Sequence, residues 1–255
     1  MPIKFPEVDE VPLAIPPLDE VVCQVRFPPI LKISTEEPVE LQELIRGIFP
    51  EFEKRHVFQL QLPVPGNPLP PSAENQSISF VFTDIGKEMQ ATLAPNFYAV
   101  STSKYRGWNK FLEILEIVHT AVVTSYRPAY ATRIGLRYVN RLTTENTEAI
   151  TREGLLDLVK KELTAMLRGS VWDSASEMIG VVNFADPPAQ MNLRFGYEVN
   201  ESVPTFLLDF DYFEEGTIDL AEVMARCNQY HEIIYRAFRW VVRDDTLTHF
   251  GGDTR

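Results

Sequence analysis

The chain has 255 residues, of which 45% are hydrophobic and 24% charged, a composition that excludes a disordered chain, a collagen-like repeat and a disulfide scaffold. It carries 36 acidic against 24 basic side chains, a formal net charge of −12. Because general binding to nucleic acid needs phosphates to be neutralised and the chain has no basic block, that class of function is disfavoured, although a local basic patch stays open.

The location of the protein follows from two negative observations. No apolar run reaches the roughly 18 residues that a membrane helix needs, and the opening MPIKFPEVDEVP lacks the regions of a signal peptide. We therefore expect a cytoplasmic protein with no membrane attachment, and we expect Cys23 and Cys227 to be reduced, buried, structural thiols. We expect no metal and no cofactor, while a homo-oligomer stays open.

The first half of the chain is predicted to contain a strand, a helix, four strands and a long helix. Residues 1–18 are rich in proline and predict an extended arm, and strict alternation over 20–27 predicts the first strand. An apolar stripe of helical spacing predicts a helix over 38–49. The remaining predictions are strands over 56–62, 77–83, 88–93 and 97–101, a long exposed loop over 63–77, and a helix over 107–125.

The second half is predicted to repeat the same order. The predicted elements are a strand over 130–142, a helix over 151–167, strands over 178–184, 190–199 and 205–213, and a helix over 219–242. The last residues, which include His249, are expected to form a frayed tail.

This recurrence of whole elements indicates an internal duplication. The sequences of the two first strands support it modestly, since VRF at 25–27 corresponds to LRY at 136–138. We predict an α+β fold of two similar halves, each with helices packed on one face of an antiparallel sheet. The predicted boundaries are 1–18 for the arm, 19–128 and 129–245 for the halves, and 246–255 for the tail. Whether the two sheets fuse edge to edge or stay separate is left open.

The segment PPLDEVVCQVRF at 16–27 is unusual, and it resembles the opening of a bacterial protein family of about this length with the pattern PPL-EV-CQ-RF. The runs at 93–111 and 133–142, the strand FLLDFD at 206–211 and the helix around His231 are similar as well. The family is sporadically distributed and functionally uncharacterised. The resemblance therefore implies a bacterial protein but no activity and no catalytic residue.

A row of arginines is the best candidate for a ligand surface. Five arginines are predicted to lie opposite the apolar faces of their strands, namely Arg26, Arg133, Arg137, Arg141 and Arg194. Guanidinium groups on an open sheet face bind carboxylates or phosphates through paired hydrogen bonds. The alternative is a cross-strand ladder of ion pairs, because Asp209, Asp211 and Glu198 share the same polar face.

Other groups have weaker functional interpretations. Asp209 and Asp211 point the same way and would suit a hydrolase or a metal, but no third ligand is evident. His231 shares a helical face with Asn228, Tyr235 and Arg239, which would either bind a ligand or face solvent. The tract STSKYRGW at 101–108 would either bind an anion at a helix start or be a plain helix start anchored by Trp108. His119, within an apolar stripe, is expected to be a core histidine.

Three hypotheses of function follow. The first is a non-enzymatic binding module that holds an anionic small molecule or a protein partner on the arginine face or in a groove between the halves. The second is an enzyme of undetected class acting on a phosphorylated or nucleotide-like substrate, which needs His231 or the two aspartates to face the arginines. The third, an accessory component of a bacterial defence or mobile-element system, depends only on the patchy distribution of the resembling family.

Overall fold

A single antiparallel sheet of nine strands organises the computed structural model, which describes residues 3–11, 13–58, 76–149, 151–200 and 203–251. The strands are β1 (Leu18–Arg26), β2 (Glu51–Phe58), β3 (Gln76–Thr83), β4 (Met89–Ala94), β5 (Phe97–Thr102), β6 (Ala131–Thr143), β7 (Glu177–Asp186), β8 (Ala189–Asn200) and β9 (Val203–Ile218). The helices are α1 (Leu31–Thr35), α2 (Val39–Ile45), α3 (Trp108–Tyr126), α4 (Arg152–Asp157), α5 (Lys161–Thr164) and α6 (Val223–Val241). The predicted α+β class is confirmed.

The strand order answers the question of whether the sheets fuse. It is β2-β3-β4-β5-β1-β6-β9-β8-β7, so β1 and β6 pair in the middle and join both halves of the chain in one sheet. Each of these two strands also pairs with the last strand of its own half, β1 with β5 and β6 with β9. Only β2 and β7 are left as edges among the described strands.

The two long helices cover one face of this sheet. On β1 and β6 the side chains that face the helices are fully buried, among them Val21, Cys23, Ile134 and Leu136. The apolar stripe of α3 and the buried face of α6 pack against them, and the two helices also contact each other. Each such aliphatic side chain stabilises the fold by about 1.5–3 kcal/mol when it leaves water. The opposite face of the sheet carries the polar side chains of the alternating strands.

The predicted helix over 151–167 is wrong as a single element. The structure breaks it into α4, α5 and a 3-10 turn at Ala165–Leu167. The break has a tertiary cause, since the backbone around Val159 pairs with the end of α6 instead of continuing the helix. Lys160 donates its N–H to the carbonyl of Val241 at 2.9 Å, and Arg243 donates its N–H to that of Leu158 at 3.0 Å.

Two predicted elements in the first half are displaced. The helix over 38–49 is shorter, ends as α2 at Ile45, and is preceded by the separate short helix α1. The strand predicted over 56–62 begins five residues earlier as β2, because Phe52 packs on Phe80 and Phe82 of β3 with ring centroids 6.1 and 5.3 Å apart. Residues 59–62, and 63–75 of the predicted loop, lie outside the described residues.

The C-terminal segment does not fray as expected. Residues Asp244–Phe250 form a 3-10 helix in which Leu247 and Phe250 are fully buried. The Thr246 hydroxyl donates to the carbonyl of Leu158 at 2.9 Å, and the N–H of Ile15 donates to that of Phe250 at 3.1 Å. Burial of these two large apolar side chains therefore orders a segment whose polar sequence predicts fraying.

No helix in the described part of the chain is long and apolar enough to cross a membrane.

The two cysteines are free and form a buried contact between the halves. The Sγ atoms of Cys23 on β1 and Cys227 on α6 lie 3.5 Å apart, and neither side chain is exposed. The hydrogen bond between the thiols and, after it, burial raise the pKa of Cys227. Both effects keep the thiol protonated and unreactive.

We expect neither thiol of the native protein to react with an aromatic disulfide reagent, and both to react after unfolding in urea, as measured by release of the coloured thiolate. A Thr124→Cys variant is the control, because Thr124 is exposed on α3 and a thiol at this position should react in the native state. Rapid modification of either natural cysteine without unfolding would contradict this packing.

Candidate functional site

A cavity of about 650 Å³ lies where the N-terminal arm, the loop between β5 and α3, and parts of β6 and α6 meet. It lies between the two halves of the chain, because the loop belongs to the first half and β6 and α6 to the second. Its volume is within the range of small-molecule sites, which is about 300–1,000 Å³. The arm supplies an apolar wall that includes Val11, Leu13, Ala14, Ile15, Pro16 and Pro17.

A hydrogen-bonded chain of aromatic side chains forms the polar part of the lining. The Tyr138 hydroxyl lies 2.8 Å from Nδ1 of His231 and 3.4 Å from the hydroxyl of Tyr105. The indole of Trp108 stacks on the His231 ring with centroids 4.4 Å apart, and its Nε1 donates to Oδ1 of Asn228 at 2.6 Å. The imidazole is therefore fixed by stacking and by a hydrogen bond at once.

Burial sets the protonation of this chain. It lowers the pKa of His231 from 6.5 to about 4, so the imidazole is neutral at pH 7. Burial also raises the pKa of Tyr138 far above its ordinary value, so the hydroxyl keeps its proton. The nearest carboxylate is Glu10 on the arm, with Oε1 3.6 Å from Nε2 of His231. At neutral pH the His231 imidazole and the Tyr138 hydroxyl therefore act as uncharged hydrogen-bonding partners.

On the side of the loop between β5 and α3, the rim of the cavity carries a local surplus of positive charge, while the Glu10 carboxylate lies on the arm side. Lys104 and Arg106 both bind Glu88, at 2.7 and 2.6 Å, so two cations share one carboxylate. The hydrogen bond from Lys104 is the main reason that the pKa of Glu88 is lowered. Next to them, α3 begins at Gly107 without a side-chain cap, which leaves the N–H groups of its first turn available. Gly107 has φ 100°, a conformation that other residues rarely adopt.

The N-terminal arm is held in place by backbone hydrogen bonds rather than by regular secondary structure. The N–H of Val11 donates to the Tyr235 hydroxyl at 2.7 Å, and that of Arg141 donates to the carbonyl of Pro17 at 2.8 Å. The N–H of Ile3 donates to Oδ1 of Asp186 at 3.1 Å. The arm therefore forms one wall of the cavity instead of extending into solvent.

The predicted arginine row lies on the other face of the sheet, where three of its members form an ion-pair ladder. Arg137 binds Asp209 through two hydrogen bonds of 2.7 Å, and Arg133 binds Asp211 at 3.1 Å. Arg141 binds both Asp19, at 3.0 Å, and Glu198. These arginines are thus occupied by carboxylates of the chain itself, which is the ladder alternative considered from the sequence.

The ladder is packed flat against the sheet. The guanidinium of Arg133 lies 4.3 Å from the centroid of the Phe213 ring and occupies the space that a Cβ atom at Gly135 would need. Burial raises the pKa of Asp211 despite the attraction of Arg133 and Arg137. The open face is therefore less exposed to water than its polar sequence indicates.

The other two predicted arginines are outside the ladder. Arg26 is exposed and donates from Nε to Oε1 of Gln24 at 2.9 Å. Arg194 is exposed opposite Asp209 in the β8–β9 register, and it forms no ion pair within the described residues. Of the predicted candidates, the structure brings His231, its helical neighbour Tyr235 and part of the tract at 101–108 to the cavity, while the arginines and both aspartates lie on the opposite face.

Sequence reasoning missed several lining residues. The alternation of β6 predicts only that Tyr138 lies on the apolar face of its strand, and no sequence pattern singles out Glu10 or Asn140. A tyrosine at an inward position was the available signal, since a buried hydroxyl needs a hydrogen-bonding partner. His119 is only half-buried, so it is not the fully buried core histidine that was expected, although its Nδ1 lies 2.6 Å from the Tyr98 hydroxyl. The described residues contain no group of three potential metal ligands.

We expect Arg137→Ala to lower the free energy of unfolding by about 2 kcal/mol in urea titrations, because it leaves the buried carboxylate of Asp209 unpaired. Loss of a fully buried pair would cost about 3–5 kcal/mol, but the Arg137 side chain is 43% exposed. The matched control is Arg194→Ala on the same face, for which a change within about 0.5 kcal/mol is expected. Equal stability of both variants would refute a structural ladder.

We expect the His231 imidazole to contribute a fall of roughly 3 kcal/mol in the free energy of unfolding, measured by urea titrations, as the pH drops from 6.5 to 4. The sign follows because the unfolded chain takes up a proton on this imidazole near pH 6.5, while the folded chain does so only near pH 4. The variant His231→Phe keeps a ring against Trp108 and should flatten this pH dependence. His56→Gln, at an exposed position, should not.

No protein-family model matches the chain, and no curated protein matches it either. The function is therefore argued from the geometry of the cavity.

Proposed function

We propose that the chain is a non-enzymatic binding module and that its inter-half cavity holds a small molecule with an apolar body and an anionic end. The observation that carries the proposal is the convergence of three surfaces on one cavity. An apolar arm, a neutral hydrogen-bonding chain and a rim with surplus cations all line the same space.

The apolar wall would hold most of the ligand. Small-molecule sites are lined mainly by apolar side chains, with a few polar groups that fix the orientation of the ligand. The proline-rich arm fits this role, because Pro16 and Pro17 present a stiff apolar surface at little loss of conformational entropy. The Phe238 side chain of α6 adds to this apolar lining.

The polar groups would orient the ligand and bind its charge. A carboxylate, sulfonate or phosphate at the rim would contact Lys104 and Arg106 and lie near the uncapped start of α3. Nε2 of His231, the Tyr235 hydroxyl and the Asn140 amide would hydrogen-bond polar atoms nearer the floor. The ligand class is thus an amphipathic organic anion.

The enzyme alternative has less support. It needs His231 or the aspartates to face the same cavity as the arginines, but the sheet separates His231 from Arg133 and Arg137. Asp209 and Asp211 share the face of the arginines and are already bound by them. Within the cavity, burial raises the pKa of Tyr105 and lowers that of His231, so neither is poised for proton transfer near pH 7.

We also infer that the two halves arose by duplication. Two features support this: in each half the first strand pairs with the last, and each half ends in a helix of 19 residues on the same face of the sheet. A cavity between duplicated halves would then be a product of their fusion through β1 and β6.

The proposal is tested with anilinonaphthalene sulfonate, an aromatic anion whose fluorescence rises in apolar surroundings. We expect saturable binding at one site per chain. The double variant Lys104→Gln/Arg106→Gln should bind it about tenfold more weakly, a difference of about 1.4 kcal/mol. Leu13→Trp, which fills the cavity from the arm side, should remove most of the binding. The control is Lys110→Gln, since Lys110 is an exposed cation on α3 outside the cavity.

Two results would overturn the proposal. One is the absence of saturable binding to the native protein, whose fold is checked by near-ultraviolet circular dichroism because partly unfolded states also bind this dye. The other is equal affinity in wild type and both cavity variants. If the cavity variants do lose affinity, native mass spectrometry of the freshly purified chain would identify any natural ligand of the same class.

A further inference from the structure

A second cavity, of about 490 Å³, lies beside the C-terminal end of α6. The arm borders it with Pro6 and Val8, and the 3-10 helix at 244–250 borders it on another side. Four basic side chains line it: Lys160, Arg236, Arg239 and Arg243. Such a concentration of cations is unexpected in a chain of net charge −12 and indicates an attraction for anions at this place.

Two of these cations are neutralised by the chain itself. Arg243 binds Asp245 through hydrogen bonds of 3.2 and 2.8 Å, and Arg239 binds Asp244 at 3.2 Å. Both aspartates also line the cavity. These two aspartates therefore neutralise Arg239 and Arg243, and they leave the charges of the other two basic side chains unbalanced.

Lys160 and Arg236 supply the remaining charge. The Lys160 ammonium lies 4.6 Å from the centroid of the Trp240 ring and has no carboxylate within ion-pair distance in the described part of the chain. The nearest carboxylate to Arg236 is that of Glu232, which lies 3.8 Å away and is 65% exposed. An ion pair this long and this exposed to solvent neutralises little of the Arg236 charge. The cavity thus has close to two unneutralised positive charges.

The guanidinium of Arg239 is largely buried, and one of its hydrogen-bond donors is unsatisfied. Its side chain is only 12% exposed, and its Nε atom is buried without a hydrogen-bond partner among the described residues. Its two terminal nitrogens are occupied, since they donate to the Tyr235 hydroxyl at 3.2 Å, the carbonyl of Asp9 at 3.5 Å and the Asp244 carboxylate at 3.2 Å. A buried guanidinium with an N–H that lacks an acceptor is costly, and the negative charge of an anion in the cavity beside it would offset part of that cost.

We propose that this second cavity binds a phosphate group, either free or carried as a monoester on a small molecule. A phosphate dianion matches the two unneutralised cations in charge, and its oxygens match the planar donor fork of arginine. The volume admits a phosphate with a small organic substituent. A long polyanion is disfavoured because the protein as a whole repels it.

The test is isothermal calorimetry on the full chain with inorganic phosphate and then phenyl phosphate, at ionic strength held constant with sodium chloride. We expect saturable binding of at least one of the two. The variant Lys160→Met/Arg236→Gln should bind about tenfold or more weakly, whereas Lys110→Gln, an exposed position outside both cavities, should bind like wild type. The variant Lys104→Gln reports any binding in the first cavity. Tighter binding of phenyl phosphate that is lost in Lys160→Met/Arg236→Gln would identify a monoester as the ligand. Equal or tighter binding of inorganic phosphate that is lost in the same variant would identify the free ion.

Stability gives a second measurement that does not depend on the heat of binding. Phosphate should raise the midpoint of thermal unfolding of wild type more than an equal ionic strength of chloride does, and it should raise that of the double variant less. Three outcomes would overturn the proposal: no saturable response to either phosphate, the same response to chloride, or loss of binding in Lys104→Gln but not in Lys160→Met/Arg236→Gln. The last outcome would place the anion in the first cavity.

Discussion

The antiparallel pairing of β1 with β6 is the constraint on which the rest of the structure depends. The register places Cys23 opposite Leu136 and Val22 opposite Arg137, so the apolar sides of both strands face the same way. A shift of one residue would turn every side chain of one strand to the other face of the sheet. Because the register is kept, α3 and α6 can pack side by side on one continuous apolar surface, and the Cys23–Cys227 contact ties the two halves together beneath them.

The same register separates two kinds of chemistry on the two faces of β6. On the open face, Arg133 and Arg137 meet carboxylates of β9, and Arg141 meets Asp19 of β1 and Glu198 of β8. On the helix face, the next residue, Tyr138, turns its hydroxyl to His231 and to the first cavity. A strand whose side chains alternate can thus contribute to a structural ladder and to a ligand site at once. The arginines were the more conspicuous feature of the sequence, but the tyrosine between them lies in the better candidate site.

Local patterns in the sequence predicted most strands, both long helices and the α+β class, because alternation and helical spacing are properties of neighbouring residues. What they did not predict depends on distant ones. The helix over 151–167 breaks because Lys160 bonds to Val241, and the C-terminal segment is ordered because Phe250 is buried. For the same reason the sequence did not predict the first cavity as a whole. His231 and the tract at 101–108 are separate candidates in the sequence, and only the packing of α3 against α6 shows that they line one space.

The two cavities are also connected through a short series of contacts on α6. Tyr235 lines the first cavity and holds the arm through the N–H of Val11, while Arg239, one turn further on, lines the second and donates to the same Tyr235 hydroxyl. Arg239 also reaches the carbonyl of Asp9 on the arm. An anion bound beside Arg239 in the second cavity would therefore act on the group that anchors the arm over the first cavity. Coupling of this kind requires that each ligand favours the same position of the arm, and Tyr235 and Arg239 are where that preference would be transmitted.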